Sequence, residues 1–297
     1  MTGVDNFSTG FQQNIDDAIK EARKFNSEIK FNFIKCDIRK YSDCRQITKN
    51  IDVVLHQAAI GSVQRSIDKP LLTNDVNIKG TLNLLKASVE NNVKRFIFAS
   101  SSSIYGDSDI LPKVEDMSPN PKSVYAVSKL ASEYYVKLFY KIYGLETISL
   151  RYFNVFGKRQ NPNSIYSSVI PRFICSLIRK KPAIIFGDGM QSRDFTYIDN
   201  VVDANFKAIF AGDYALGQCF NIACGRNINL NELYKLIAQN VGFYVEPVYK
   251  EKRKGDVIHS LAEIKKAEKI LGYKTIYEVE EGLKLTIEWF KDRTVCL

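Results

Sequence analysis

An alternation of short apolar runs with amphipathic helical patterns constrains this chain more than any other feature. Runs rich in β-branched and aromatic residues predict strands, and apolar residues recurring every three to four positions predict the helices between them. The predicted strands are Lys30–Cys36, Asp52–His56, Arg95–Ser100 and Glu146–Tyr152. The predicted helices are Asp16–Phe25, Tyr41–Lys49, Asn74–Asn91 and Val124–Tyr143. Such alternation predicts an α/β fold with a parallel, doubly wound sheet.

The second half of the chain has a looser pattern, in which loops rich in Asn, Pro and Gly separate shorter elements. The helices predicted here are Ser168–Arg179, Ile198–Ala211, Asn229–Val241, Ala262–Leu271 and Tyr277–Lys291. We therefore expect residues 1–152 to form the sheet domain. Residues 153–297 should form mainly a smaller lobe, with segments that return to the first domain.

Composition excludes several classes of protein. The 297 residues, 45% of them hydrophobic, suffice for a sizeable core. The sequence has neither an apolar run long enough to cross a membrane nor a signal peptide at its start, so we expect a cytosolic protein without membrane contact. The net charge of +9 is spread along the chain, so we expect no nucleic-acid partner. The basic cluster Lys250–Gly255 is either a solvated loop or a clamp for a diphosphate.

The cysteines and histidines indicate no metal site. None of the six cysteines forms a Cys-x-x-Cys pair, so we expect thiols rather than zinc ligands or disulfides. His56 and His259 lack a partner pattern for catalysis, and we expect structural roles for both.

Tyr125 and Lys129 form the strongest chemical signal. Residues four apart on a helix share one face, and a nearby ammonium would lower the tyrosine pKa. The serine run Ser100–Ser103 follows a predicted strand and could add a hydroxyl to the same site. These groups suit removal of a proton from a sugar hydroxyl while its carbon loses hydride. The alternative is a pair of surface residues, because helices carry such spacings by chance.

Three segments at predicted strand ends suggest dinucleotide binding. Asp5 is placed where an acid hydrogen-bonds the adenosine ribose, and Asp37 would lie near the adenine. His56–Ala59 ends in small residues, which allow backbone to approach a pyrophosphate.

The ordered motifs together resemble the extended short-chain dehydrogenase/reductase family, in its nucleotide-sugar epimerase branch. The matching segments are Asp5–Gly10, Cys36–Ile38, His56–Ala59, Asn77–Thr81, Ser100–Gly106, Tyr125–Lys129, Arg151–Gly157, Arg193–Tyr197 and Gly255–Val257. Ala59–Ser66 and Lys158–Asn163 are most similar to UDP-N-acetylglucosamine 4-epimerases, some of which act on uronic acid forms.

The resemblance implies NAD as cofactor and a UDP-sugar as substrate. Tyr125 would take the proton from the sugar O4, Lys129 would bond the nicotinamide ribose, and Ser101 would bond the same O4. The other implied cofactor contacts are Asp5, Asn6, Ser8, Thr9, Gly10, Asp37, Ile38, Gln57, Ala58, Ala59, Asn77 and Tyr152. The implied substrate contacts are Ser62, Ser102, Ser103, Asn154, Gln160, Ser168, Val169, Ile185, Phe186, Arg193, Arg253, Asp256 and Ser260.

The resemblance also suggests which sugar is used. Ser260 falls where a tyrosine would crowd out a 2-N-acetyl group, and the small Ser168 adds volume nearby, so we expect an N-acetylhexosamine or its uronic acid form. Dehydratase relatives carry an Asp-Glu pair where this chain has Ser102 and Ser103, which disfavours elimination of water. A reductase, a decarboxylase or a non-catalytic UDP-sugar-binding relative stays open as an alternative.

One family motif is missing. The family begins with a strand, a Gly-x-x-Gly-x-x-Gly turn and a helix, and this sequence contains no such turn. We expect a fragment or a misplaced start of a normal epimerase; the alternative is an inactive remnant.

The resemblance further implies a homodimer through the helices Asn74–Asn91 and Val124–Tyr143. The apolar residues expected to support it are Tyr134, Tyr135, Phe139 and Tyr143. The alternative is that these side chains face their own sheet.

Overall fold

The computed structural model describes residues 1–162, 168–252, 258–293 and Cys296. Its strands are β1 (Thr2–Asp5), β2 (Asn32–Lys35), β3 (Val53–His56), β4 (Arg95–Ser101), β5 (Glu146–Tyr152), β6 (Val155–Phe156), β7 (Ile184–Phe186), β8 (Ser192–Asp194), β9 (Thr196–Tyr197), β10 (Gln218–Ile222), β11 (Asn227–Asn229) and β12 (Val248–Lys250). Its α-helices are α1 (Gln12–Phe25), α2 (Tyr41–Ile47), α3 (Val63–Asp68), α4 (Pro70–Asn74), α5 (Gly80–Glu90), α6 (Val124–Tyr143), α7 (Val169–Ile178), α8 (Ile198–Ile209), α9 (Leu230–Val241), α10 (Lys265–Leu271) and α11 (Val279–Asp292).

The main sheet is parallel and has the strand order β10-β5-β4-β3. Strands β1 and β2 form a separate parallel pair. Within the described residues, β1 pairs only with β2, and β3 pairs only with β4. The predicted α/β class, with a parallel sheet of Rossmann type, is therefore confirmed.

Helices cover both faces of the main sheet, as a doubly wound fold requires. Side chains alternate along β4, so Phe96 and Phe98 enter the core beneath α5 and α6, and Ile97 enters the core beneath α8 and α10. A third core lies among α7, α9 and α11 in the second half of the chain. Strand β10, from that half, adds to the edge of the main sheet beside β5.

Helix α6 has the predicted bounds because both of its ends carry local signals. The Ser123 side chain accepts a hydrogen bond from the backbone N–H of Ala126, and Gly144 adopts the left-handed conformation after the last turn. The helix predicted at Asn74–Asn91 is instead α4, a π-helical turn over Asp75–Lys79, and α5.

The expectation that all six cysteines are thiols is wrong for two of them. Cys175 on α7 and Cys296 form a disulfide, with their Cα atoms 4.9 Å apart. The chain after α11 returns to α7, and the sequence separation of 121 hides this contact from any local pattern. The other four cysteines are free.

The described residues contain neither a candidate membrane-spanning helix nor a candidate metal-ligand cluster. None of the helices there combines the length and the apolar character that a membrane span needs. No group of three or more His, Cys, Asp or Glu side chains in those ranges could hold a metal ion.

Candidate active site

The candidate active site lies where β4 and β5 end beside the first turn of α6. Ser101 is the last residue of β4 and is in register with Tyr152, the last residue of β5. Tyr125 is held in the first turn of α6, because its backbone N–H donates to the Ser66 hydroxyl at 3.0 Å. Parallel strands with a helix after each one bring their carboxyl ends together, which is where such folds bind ligands.

The Ser101 hydroxyl lies close enough to the Tyr125 phenol to lower its pKa by hydrogen bonding. Ser101 Oγ accepts from the backbone N–H of Ser103 at 3.2 Å and from its hydroxyl at 2.9 Å. A hydroxyl has one hydrogen to donate, and these bonds leave that of Ser101 for the phenol oxygen of Tyr125. Ser102 and Ser103 form a half-buried 3₁₀ turn beside this pair.

The pKa of Tyr125 is raised above its ordinary value by burial, and the Ser101 hydrogen bond opposes the shift. The prediction that Lys129 lowers this pKa is therefore wrong for this geometry. Lys129 is buried and its Nζ donates to the carbonyl of Ala99 at 2.8 Å, over the Phe98 ring. Burial also lowers the pKa of Lys129 to about 8, so its ammonium is itself destabilised.

Two residues at the β1 and β2 ends form an acidic corner. The exposed Asp5 accepts from the backbone N–H of Phe7 at 2.6 Å. A Cβ at Gly10 would lie 3.2 Å from an Asp5 carboxylate oxygen, so glycine keeps that carboxylate open. Asp37 forms an ion pair with Arg39 at 2.6 Å, and hydrogen bonds from Arg39 lower the pKa of Asp37 to about 2.

The other cofactor contacts predicted at this corner differ in their exposure to solvent. Asn6 Nδ2 donates to Asp37 at 3.3 Å. Ser8 and Thr9 are exposed after β1, and Ile38 is buried in the core beneath α5.

Gln57 and Tyr152 meet across the ends of β3 and β5. Gln57 Nε2 donates to the Tyr152 hydroxyl at 3.2 Å and to Asn205 Oδ1 at 3.0 Å. Asn205, on α8, donates to the same hydroxyl at 2.8 Å, and burial raises the pKa of Tyr152 to about 12. Ala58 is exposed and Ala59 half-buried beside this group. Sequence reasoning missed Asn205, which no local motif marks.

The Asn77 side chain makes hydrogen bonds to other segments of the protein. Its Oδ1 accepts from the backbone N–H of Ile60 at 2.7 Å, and its Nδ2 donates to the Ile60 carbonyl at 3.2 Å and to Ser128 Oγ at 2.9 Å. The side chain therefore links the loop after β3 to α6. This bonding favours a positioning role over the cofactor contact that the resemblance implies.

A second cluster lies around β8, where several predicted substrate contacts meet. Arg193 Nη1 donates to the carbonyl of Ile258 at 3.1 Å, and the backbone N–H of Ser260 donates to the carbonyl of Ser192 at 3.1 Å. Asn154 Nδ2 donates to the Asp194 carbonyl at 3.4 Å.

Asp194 is a buried residue of this cluster that the sequence did not single out. Its carboxylate accepts from the backbone N–H groups of Cys224, Gly225 and Ala262. Burial raises its pKa to about 7, against the opposing effect of these three donors. The carboxylate therefore joins the loop after β10 and the segment around Ala262 to β8.

The other predicted substrate contacts are spread over the second half of the chain and the loop after β3. Ile185 is buried, Val169 and Phe186 are half-buried, and Ser168 is exposed at the start of α7. Gln160 Nε2 donates to the Val155 carbonyl at 3.4 Å, and Ser62 caps α3. Arg253 and Asp256 lie outside the described residues.

Comparisons with known proteins show the family of this chain. The family model described as "NAD dependent epimerase/dehydratase family" matches residues 1–223. A UDP-glucose 4-epimerase of Mycolicibacterium smegmatis is 34% identical over 99% of this chain and 91% of its own length.

Two solved structures are similar along nearly the whole chain. The UDP-N-acetylglucosamine 4-epimerase from Methanobrevibacter ruminantium, in complex with UDP-N-acetylmuramic acid, has a TM-score of 0.91 and 37% identity, covering 98% of this chain and 90% of its own. The UDP-glucuronic acid 4-epimerase from Bacillus cereus, in complex with UDP-glucuronic acid and NAD, has a TM-score of 0.88 and 30% identity, covering 98% and 91%. This chain therefore belongs to the NAD-dependent epimerase/dehydratase family.

Proposed function

We propose that this protein is a NAD-dependent 4-epimerase of a UDP-N-acetylhexosamine. The observation that carries the proposal is the placement of the Tyr125 phenol beside the Ser101 hydroxyl at the carboxyl end of the sheet, with the buried Lys129 on the same face of α6. A proton acceptor and a second hydroxyl placed together can hold and deprotonate one sugar alcohol. The similar 4-epimerases support this reading of the site.

Each chain residue has a distinct task in this mechanism. The Ser101 hydroxyl donates a hydrogen bond to the sugar O4 and orients this oxygen toward Tyr125. Tyr125 accepts the proton of the sugar O4 as C4 becomes a ketone, and returns the proton to O4 after the sugar has turned over. NAD supplies the hydride acceptor and donor. Lys129 places a positive charge under the site, because its Nζ is held at the Ala99 carbonyl.

The described residues fit part of NAD. The open carboxylate of Asp5, at the end of β1, suits a ribose diol, and Gly10 leaves space beside it. At the carboxyl ends of β4 and β5, Tyr125, Lys129 and Tyr152 would contact the other end of the cofactor. The printed sequence holds no Gly-x-x-Gly-x-x-Gly turn, the motif whose helix N-terminus would receive the pyrophosphate.

The choice of an N-acetylated sugar follows from small side chains. Ser260 is buried beside Ser192, and the family resemblance places it where a tyrosine would crowd out a 2-N-acetyl group. We also propose Arg253 and Asp256 as contacts to the UDP moiety, on the family resemblance.

The test is direct epimerisation. The chain is incubated with UDP-GlcNAc and NAD, and the two C4 epimers are separated by chromatography. A second protein carries a strand, a Gly-x-x-Gly-x-x-Gly turn and a helix ahead of Met1. Interconversion that the Tyr125→Phe variant loses supports the proposal. No interconversion in either protein refutes it, and net NAD consumption, loss of water or release of carbon dioxide would identify a different nucleotide-sugar reaction.

We also propose that the protein is a homodimer through α6. Tyr134, Leu138 and Ile142 recur every four residues on its exposed face, and Leu71 on the adjoining α4 is 85% exposed. Apolar stripes of this kind are typical of interfaces. Tyr135 and Tyr143 are exposed as well, whereas the expectation for Phe139 is wrong because Phe139 packs in its own core.

Light scattering on the purified protein tests the dimer. The wild-type chain should have twice the chain mass, and Leu138→Glu should shift it to the monomer because a charge would be buried in the interface. A Lys137→Glu variant on the same helix controls for the added charge. A monomeric wild-type protein refutes the dimer.

A further inference from the structure

Glu133 and Arg151 are buried, oppositely charged side chains beneath the Tyr125 site, and the proposed mechanism uses neither. Glu133 lies on α6 four residues beyond Lys129, and Arg151 on β5 directly precedes Tyr152. Their side chains are 8% and 5% exposed. Arg151 Nη2 donates to Glu133 Oε1 at 2.6 Å and Nε donates to Oε2 at 3.1 Å, so both carboxylate oxygens are engaged.

Helix α6 is fastened to β4 by three side chains on one face. Tyr125, Lys129 and Glu133 are spaced four residues apart and therefore lie in one row along the helix. In that order, their partners are the Ser101 hydroxyl, the Ala99 carbonyl at 2.8 Å and the Ser100 hydroxyl at 2.5 Å. Three successive residues of β4 thus set how far along the strand α6 sits.

The remaining guanidinium nitrogen of Arg151, Nη1, bonds to segments outside α6. Its Nη1 donates to the Tyr105 hydroxyl at 2.8 Å and to the Glu115 carbonyl at 2.9 Å. Tyr105 ends the 3₁₀ turn that contains Ser102 and Ser103, and its hydroxyl donates to Asn221 on β10 at 2.6 Å. Arg151 therefore joins α6, the serine turn and β10 to a single guanidinium.

We propose that Glu133 and Arg151 are positioning residues, whose ion pair holds α6 in register on β4 so that the Tyr125 and Ser101 side chains stay next to each other. This inference rests on the proposed function and deepens it. Ser100, bonded to Glu133, directly precedes Ser101, and Lys129 lies one helical turn from both Tyr125 and Glu133. Loss of the Glu133 charge would leave a buried cation unpaired and would displace these groups.

A second ion pair on the same two strands offers a matched control. Arg95 and Glu146 join the opposite ends of β4 and β5, with Arg95 Nε to Glu146 Oε2 at 2.8 Å and Nη2 to the same oxygen at 2.6 Å. Arg95 Nη1 also donates to three backbone carbonyls around the end of α8. This pair stabilises the same sheet far from Tyr125.

The experiment compares Glu133→Gln with Glu146→Gln in whichever form of the protein epimerises UDP-GlcNAc. Both variants should unfold at lower temperature than wild type. Glu133→Gln should lower kcat about 100-fold, as expected for small displacements of reacting groups, with KM changed less than about threefold. Glu146→Gln should keep kcat within about twofold of wild type, because its ion pair does not touch the site.

A second variant keeps the inference testable if Glu133→Gln does not fold. Ser100→Ala removes only the hydroxyl bonded to Glu133 and should lower kcat about tenfold, again with little change in KM. Wild-type kcat in a folded Glu133→Gln protein, or an equal kcat loss in Glu146→Gln, would overturn the inference while leaving the proposed function intact. Absence of epimerisation in the wild type overturns both.

Discussion

Replacing Lys129 with methionine should change how the stability of this protein depends on pH. Burial lowers the pKa of Lys129 from 10.5 to about 8. Between these values the unfolded chain holds a proton that the folded chain has released, so folding becomes more favourable as the pH rises from about 8 to about 10.5. At 1.36 kcal/mol per pH unit, the wild-type protein should gain about 3 kcal/mol over this window. The methionine variant lacks this gain because it has no ammonium.

Urea unfolding at several pH values between 7 and 10.5 measures the difference in free energy of unfolding between wild type and Lys129→Met. Methionine cannot donate to the Ala99 carbonyl, which adds a constant cost of about 1–3 kcal/mol and does not alter the slope. Lys137→Met, on the exposed face of the same helix, is the control and should give a constant difference. A constant difference for Lys129→Met, or one that falls with pH, would refute the reasoning. The variant should also lose epimerase activity.

Three further substitutions probe separate features. Cys296→Ser should lower the free energy of unfolding by about 2–4 kcal/mol, and a reductant should destabilise only the wild type; an equal response of both proteins argues against the disulfide. Gly106→Ala should lower the free energy of unfolding by more than about 2 kcal/mol, because φ is +61° and a Cβ would lie 1.9 Å from the Asn120 carbonyl oxygen. Gly144→Ala, where a Cβ would meet open space, should lower it by about 1 kcal/mol. Chemical denaturation measures both changes. Ser260→Tyr should raise KM for UDP-GlcNAc at least about tenfold and that for UDP-glucose less than about twofold; equal changes contradict the volume argument.

Prediction from the sequence succeeded where the signals are local. The bounds of α6 follow from Ser123 and Gly144, which lie next to the helix they terminate. Strand β5 was predicted at Glu146–Tyr152, the bounds it has, because Thr147, Ile148 and Tyr152 favour strands and the segment follows Gly144. The π-helical turn at Asp75–Lys79 was missed, since Asn77 is drawn into place by Ile60 and Ser128 on other segments.

The sequence by itself determined the α/β class, the pairing of Tyr125 with the serine turn, and the family. Each of these rests on short motifs, such as Tyr125–Lys129 and Ser100–Ser103, and within such motifs periodicity and residue spacing act. Only the tertiary structure decided that β10 completes the sheet, that Glu133 pairs with Arg151, and that Cys175 meets Cys296. It also decided that burial, rather than the Lys129 charge, governs the pKa of Tyr125, because the cost of removing a group from water depends on everything packed around it.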